Sequence, residues 1–415
     1  MTAKPLALFE GYGIEIESMV VDAETLEVRP VVDELLRAAN GGEAWVEDFD
    51  DGAIGWSNEL VAHVIELKTN GPAPGYAGLA GRFLESTRRL NERLAEGWNA
   101  RLMPSGMHPW MEPPRETRLW PHEHGPVYRA YDRLFDCRRH GWANLQSVHL
   151  NLSFADEHEF GRLLAAVRLV LPWIPALAAS SPVVEGRATG LLDNRLEFYR
   201  TNSERIPAMT AAVIPEPIYG VEEYHERVLR RLGRDLAAAG ADEALQGGRE
   251  WTNARGAIAR FDRMAIEVRL IDAQECAAAD LAVAAAVSGL VRALVEERWA
   301  PFRTQRDWPT GALSELLLAA IREGPAAAVP DRGYAALFGV ESPGELTLGS
   351  LWKRVAEGTF EGSAELEEPL QLVLREGTLA ERILAALGAD FGRPRLREVY
   401  GELCRCLAAG RSFRP

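Results

Sequence analysis

Glu15 and Glu17 lie two residues apart in Gly13-Ile14-Glu15-Ile16-Glu17. Glu66 stands between apolar neighbours in Val64-Ile65-Glu66-Leu67, and Glu267 does the same in Ile266-Glu267-Val268-Arg269. Each apolar/acidic alternation reads as a β-strand, so Glu15 and Glu17 share one face about 7 Å apart while Ile14 and Ile16 take the other. An ionised carboxylate on a sheet face must keep its water or gain cations and donors. A lone Glu-x-Glu pair on a strand is more often a solvated face, but several such strands together form an oxygen-rich cradle of the kind that holds hard divalent cations.

Other residues extend the set. Glu59 precedes the Glu66 strand and joins its face only if the chain turns or bulges between them. His149, in Val148-His149-Leu150-Asn151-Leu152-Ser153, shares a face with Asn151 and Ser153. A single strand histidine is ordinarily a hydrogen-bonded structural residue, whereas among carboxylates it serves as a metal ligand. Glu267 and Arg269 share a face, which sets a carboxylate beside a guanidinium as a bound polyphosphate requires and as a plain ion pair also would. Arg195, Arg255, Arg260 and Arg263 stand in irregular segments from which side chains can converge on phosphate or remain on the surface. Gly11-Tyr12-Gly13 runs on into Ile14-Glu15-Ile16 and fails the dinucleotide fingerprint, and neither GxxxxGK[ST] nor HExxH occurs. A nucleotide here would be held by metal carboxylates and arginines, not by a glycine cradle.

Strands are expected around Ile14 to Val20, Leu60 to Lys68, Ser147 to Phe154 and Ala265 to Ile271. Helices are expected at Val31 to Ala39, ended by Asn40-Gly41-Gly42, and at Tyr76 to Asn99, Glu157 to Ala179 and Val221 to Ala239, with nearly everything after Asp280 helical. Six prolines between Met103 and Pro126 predict a long ordered loop or lid, and Ser180 to Pro207 reads as irregular. Strands separated by long helices without repeated short βα units indicate an α+β fold. A soft boundary near Ala300 to Pro309 divides the chain into residues 1–300 and a helical part, 301–415.

The 415 residues, 47% apolar, bury a large core. Lys and Arg number 46 against 61 Asp and Glu, a net charge of −15 that repels a nucleic-acid backbone. Cys137, Cys276, Cys404 and Cys406 form no repeating framework and are expected as free thiols in a reducing cytoplasm. Met1 to Phe9 lacks a signal-peptide pattern. The apolar run Leu281 to Val295 is short for a membrane span and carries Arg292, so no membrane segment is expected.

Six motifs, read in order, resemble the glutamate-cysteine ligase and carboxylate-amine ligase family, related in fold to glutamine synthetase. They are Gly13 to Glu17, Asn58-Glu59-Leu60 through Val64 to Thr69, Gly106-Met107-His108-Pro109-Trp110, Val148 to Ser153, Ser180-Ser181-Pro182 through Thr189-Gly190 to Arg195, and Ile266 to Arg269 with Asp272. The resemblance implies a curved, mainly antiparallel sheet cradling ATP and Mg²⁺, with Glu15, Glu17, Glu59, Glu66, His149 and Glu267 as metal ligands. It also implies Arg195 and Arg269 as substrate or phosphate contacts; Arg255 and Arg260, from the irregular segments, are the arginines expected at the nucleotide. Where relatives with a paired-histidine strand carry the second histidine, this chain has Ser147. The implied reaction joins an amino-acid carboxylate, glutamate first, to an amine such as that of cysteine through an acyl phosphate. Small-molecule partners are therefore expected, with self-association left open. A non-catalytic nucleotide-binding or regulatory homologue and a guanidino kinase-like phosphotransferase are the alternatives.

Overall fold

The computed structural model describes residues 5–341 and 344–415. Its strands are β1 (Tyr12–Asp22), β2 (Asp48–Asp51), β3 (Ile54–Asn58), β4 (Val64–Thr69), β5 (Ala100–Met103), β6 (Ser147–Ser153), β7 (Val183–Val184), β8 (Arg187–Ala188), β9 (Ala257–Arg260) and β10 (Ala265–Asp272). One antiparallel sheet runs β2-β3-β4-β1-β6-β10-β9, and β5 pairs the second half of β1. The sheet does not close, and β7 and β8 form a separate hairpin. The fold is α+β, as the spacing of strands and helices predicts.

Alternation in β1 sets the register. Ile14 and Ile16 enter the main core with Val148, Leu150, Leu152, Ile266 and Val268. On the other face Glu15 lies opposite Lys68 and His149, and Glu17 opposite Glu66. A slip by one residue would drive these acids into the core. An uncompensated buried carboxylate costs several kcal/mol, more than the ~1.5–3 kcal/mol that burying one isoleucine contributes, so the acids specify the register at least as firmly as the isoleucines.

The helices Leu79–Trp98, Glu157–Val170 and Ala277–Val295 cover the apolar face. The last is longer than the Leu281 to Val295 run. Its 19 residues, with mean hydropathy 1.8, are enough to cross a membrane by length and composition, yet 89% of its apolar window is buried within the chain. The helices Leu348–Thr359 and Ala364–Glu376 pack against it, so residues before and after the 300–309 region share one core.

Several local expectations change. The helix expected from Glu157 to Ala179 stops at Val170 and continues as a 3-10 turn, Leu171–Trp173, and a short helix, Pro175–Ala178. Pro172 and Pro175 remove the amides a continuous helix needs. Val221 to Ala238 is helical but passes through a π-helical stretch at His225–Arg230. The segment Ser180 to Pro207 contains the helix Asn194–Thr201, capped by the Asp193 side chain on the Leu196 amide. The expected Leu60 to Lys68 strand begins only at Val64, because residues 59–63 are the connection of the β3–β4 hairpin. The proline-rich stretch is ordered. Its first part, Met103 to Met111, is buried, and the His108 ring Nε2 lies 2.8 Å from the Leu26 carbonyl oxygen. All four cysteines are free and buried.

His63, in the β3–β4 connection, is fully buried with Nε2 2.7 Å from the Ala143 carbonyl oxygen, and burial pushes its imidazole down to about 4. The unfolded chain binds a proton below about pH 6.5 that the native protein does not, so this group costs stability as pH falls from about 6.5 towards 4. Urea unfolding of His63→Gln should lose about 1.5 kcal/mol less than the wild type between pH 6.5 and 5. Equal losses would place the proton uptake elsewhere.

Candidate functional site

The polar face of β1, β4 and β6 gathers the acids. Carboxylate oxygens of Glu17, Glu59 and Glu66 lie within 4.8 Å of one another, and so do ligand atoms of Glu15, Glu66 and His149. The two triads share Glu66. The hairpin connection after Asn58 supplies the turn that brings Glu59 onto this face.

Most of these side chains are held by polar neighbours. The Ser147 amide and hydroxyl donate to Glu17 Oε2 at 2.7 and 2.9 Å, and the same hydroxyl lies 3.0 Å from His149 Nε2. His149 Nδ1 is 3.1 Å from Glu15 Oε2. Ser57 donates to Glu66 at 2.7 Å, and Lys68 Nζ stands 3.8 Å from the same oxygen. Glu267 belongs to neither triad. It is clasped by Arg260, at 2.8 Å, and Arg269, and its carboxylate is 3.9 Å from His149 Nδ1.

Electrostatics follow from this crowding. Burial would raise Glu15, but His149, Arg263 and Arg269 outweigh it and hold the carboxyl at about 2. Burial followed by the Glu15 charge pushes Glu66 up to about 8, and burial with the charges of Glu17 and Glu66 raises Glu59 well above the usual carboxylate range. Burial and Arg269 would lower His149, yet Glu15, Glu17 and Glu267 raise it. Burial is the first cause of both upward carboxylate shifts, so Glu59 and Glu66 are the acids of this face that a bound cation would relieve most. Carboxylates with one imidazole are a donor set that fits a hard divalent cation.

Beside Glu15 opens a cleft of about 600 Å³ lined by Gly13, Lys68, Thr69, Asn151 and Arg263 among others, within the roughly 300–1,000 Å³ of small-molecule sites. A Cβ at Gly13 would stand 3.0 Å from the Asn151 Cβ, so glycine permits the close approach of β1 and β6. Asn151 donates to Glu15 at 3.3 Å, and its own oxygen is buried without a partner. Arg263 also donates to Glu15, at 3.3 Å.

The remaining arginines divide. Arg260, Arg263 and Arg269 converge on the acidic face. Arg255, expected at the nucleotide, does not: its guanidinium is buried against Glu216, at 2.6 and 2.7 Å, and the Ala208 carbonyl. A glutamate partner on a neighbouring loop captures it. Arg195 is almost wholly buried, pairs with Asp272 and donates to the Arg269 carbonyl at 3.2 Å.

Sequence reasoning missed Lys68, which follows Glu66 at strand spacing and could have been found by that period. It also missed Tyr128, whose hydroxyl accepts from Asn58 at 3.2 Å, and Tyr131, whose ring electrostatics involve Arg269. Both belong to the helix Gly125–Phe135, which begins inside the proline-rich stretch.

Burial and the Glu15 charge hold the Glu66 carboxyl at about 8, so a divalent cation bound there at neutral pH must displace its proton. Calorimetric titration with Mn²⁺ at pH 7 in buffers of different ionisation enthalpy should show proton release on binding, and Glu66→Gln should lower that release by about one proton. Binding without release would contradict the protonation assigned here.

Comparison with known proteins supplies the lineage. The model of glutamate-cysteine ligase family 2 matches residues 12–402. An uncharacterised protein of Archaeoglobus fulgidus is 33% identical over 388 residues, 93% of this chain and 96% of its own. A Sorangium cellulosum protein provisionally named glutamate–cysteine ligase 2 is 28% identical over 380 residues, 90% of each chain. Among solved structures, a glutamate–cysteine ligase from Francisella tularensis in complex with AMP superposes with a TM-score of 0.63 at 14% identity, covering 98% of this chain and 90% of that one. A bifunctional glutathione synthetase from Pasteurella multocida gives 0.55 at 13% identity, covering 95% of this chain and 53% of that one. These two likenesses concern the fold. Matched from the first residue of β1 into the helix Arg393–Ala409, the chain belongs to glutamate-cysteine ligase family 2.

Proposed function

We propose that the protein is an ATP-dependent carboxylate-amine ligase that joins an amino-acid carboxylate, the γ-carboxylate of glutamate first, to an amine, with cysteine the leading acceptor. The observation that carries this is the pair of triads sharing Glu66, the first of which reaches the cleft through Glu15. Membership of the family supports the reaction class, and the AMP bound to the Francisella tularensis protein of like fold supports a nucleotide in the cleft.

In this assignment Glu15, Glu66 and His149 would hold one Mg²⁺, and Glu17, Glu59 and Glu66 a second. ATP with Mg²⁺ supplies the phosphoryl group that converts the substrate carboxylate into an acyl phosphate, which the amine then displaces as phosphate to give the amide. The chain's own part is positioning and charge. Ser147 fixes Glu17 and the His149 ring through the bonds described above. Arg269 stands beside Glu267 with its buried Nε free of partners, a donor suited to a substrate carboxylate. Arg263 adds positive charge in the cleft beside Glu15, and Arg260 adds it at Glu267. Held donors and cations of this kind act chiefly by alignment and by stabilising charge on the transferring group.

The test is phosphate release from Mg·ATP with L-glutamate against a panel of amino acids and amines, followed by product mass. Release requiring both partners, with an adduct equal to their sum less water, is the expected result. Release without an adduct, or a phosphorylated product without free phosphate, would remove the ligase assignment. Glu15→Gln and Glu267→Gln should each lower turnover at least about 100-fold while leaving the thermal melt cooperative. Undiminished turnover in either would take that residue out of the mechanism.

A further inference from the structure

β10 is irregular at the point where it serves the site. Val268 pairs Leu150, but the next aligned pair is Ile271 with Val148, so Arg269 and Leu270 sit in a bulge. Bulges beside active sites re-aim a side chain, and the bulged residues lose their places in the ladder. The backbone groups of Arg269 find other partners: its amide donates to the Gly256 carbonyl at 2.9 Å, and its carbonyl accepts from Arg195 Nη2 at 3.2 Å.

Arg195 is itself fixed by Asp272, the residue at which β10 ends. Asp272 has no exposed surface. Its carboxylate receives the Ser180 amide at 3.0 Å, the Ser181 hydroxyl at 2.8 Å and Arg195 Nε. Ser181 Oγ in turn accepts the Arg195 amide at 3.0 Å, and Ser180 Oγ accepts the Gly106 amide at 2.7 Å. Gly106 closes the socket: a Cβ there would stand 2.5 Å from Asp272 Oδ2. Segments around Gly106, Ser180-Ser181 and Arg195, far apart in sequence, thus meet on one carboxylate that touches neither the acid triads nor the cleft.

We infer that Asp272 is a positioning residue of the active site: through Arg195 it holds the β10 bulge and so the aim of the Arg269 guanidinium at the carboxylate substrate. The inference rests on the ligase reading for the identity of that substrate. A buried ion pair with a purely architectural role would affect all ligands together. Asp272 should instead affect the substrate carboxylate far more than the nucleotide, because of the triad residues, on β1, β4, β6 and the β3–β4 connection, only Glu17 and His149 stand near the socket, through Ser147.

The experiment uses the full chain with Asp272→Asn and Gly106→Ala, which disturb the socket from opposite sides, and Ser181→Ala as the mildest variant. Wild type and variants are compared for KM and kcat with L-glutamate, for affinity towards Mn²⁺ with a non-hydrolysable ATP analogue by calorimetry, and for thermal melting. The expected result is a KM for L-glutamate raised about 10-fold or more, with the Kd of the Mn²⁺·analogue complex changed less than about 3-fold and the melt still cooperative. Unchanged KM, or a parallel loss of analogue affinity and KM in every folded variant, overturns the inference. If the wild type forms no adduct with any carboxylate, the ligase reading fails separately. Amide exchange then decides the inference: loss of protection confined to Arg269–Ile271 and Arg195–Tyr199 in Ser181→Ala or Gly106→Ala supports it, and loss that also reaches Gly13–Glu17 overturns it.

Discussion

Carboxylates crowd one face of a sheet whose other face is the core of the protein. Glu15, Glu17, Glu59 and Glu66 share this face with Lys68, His149 and three arginines, and burial with the neighbouring acids still raises Glu59 and Glu66 above the usual carboxylate range. The result is a surface at its most favourable when cations occupy it. The rest of the architecture serves to keep the acids there. β1 is placed centrally so that both neighbours contribute ligands, and the isoleucines between its glutamates tie the register to the main core. Ser147 and Ser57, short donors with little freedom, orient Glu17 and Glu66.

A second layer of order stands behind the first. The motif around Gly106 looks, by its His and Trp, like a set of ligand contacts, yet His108 and Trp110 are buried away from the cleft, and Gly106 instead abuts Asp272. Ser180, Ser181 and Arg195 converge on the same carboxylate. Residues of polar, reactive type can therefore stand in a motif because they build the support of a site and not because they meet its ligands.

What was legible in the sequence follows from period and burial. The strands bearing Glu15, Glu66, His149 and Glu267 announce themselves because a two-residue alternation survives in the one-dimensional chain, and the structure brings those four residues together. Glu59 was visible as an acid but not as a neighbour, since its place depends on a hairpin connection that carries no strong turn residue. Arg255 was misplaced because nothing local distinguishes an arginine aimed at phosphate from one captured by Glu216, thirty-nine positions away in sequence. Tyr128 and Tyr131 were hidden for the opposite reason: prolines nearby masked the helix that delivers them. The socket at Asp272 was half legible: Gly106, Ser180-Ser181, Arg195 and Asp272 stand out as motif residues, but nothing in the sequence distinguishes residues that meet one another from residues that meet a ligand.

The helix Ala277–Val295 acquires its cover from both sides, from strands and helices made before it and from Leu348–Thr359 and Ala364–Glu376 made after it. During synthesis its 19 residues leave the ribosome on the order of 10 s before those later helices exist, at ordinary translation rates. For that interval an apolar segment of membrane-spanning length is bare on one side. Productive folding thus includes a race between completion of the carboxy-terminal helices and capture of this segment by chaperones, by the insertion machinery or by another nascent copy. Slow translation through residues 296–376 lengthens that race.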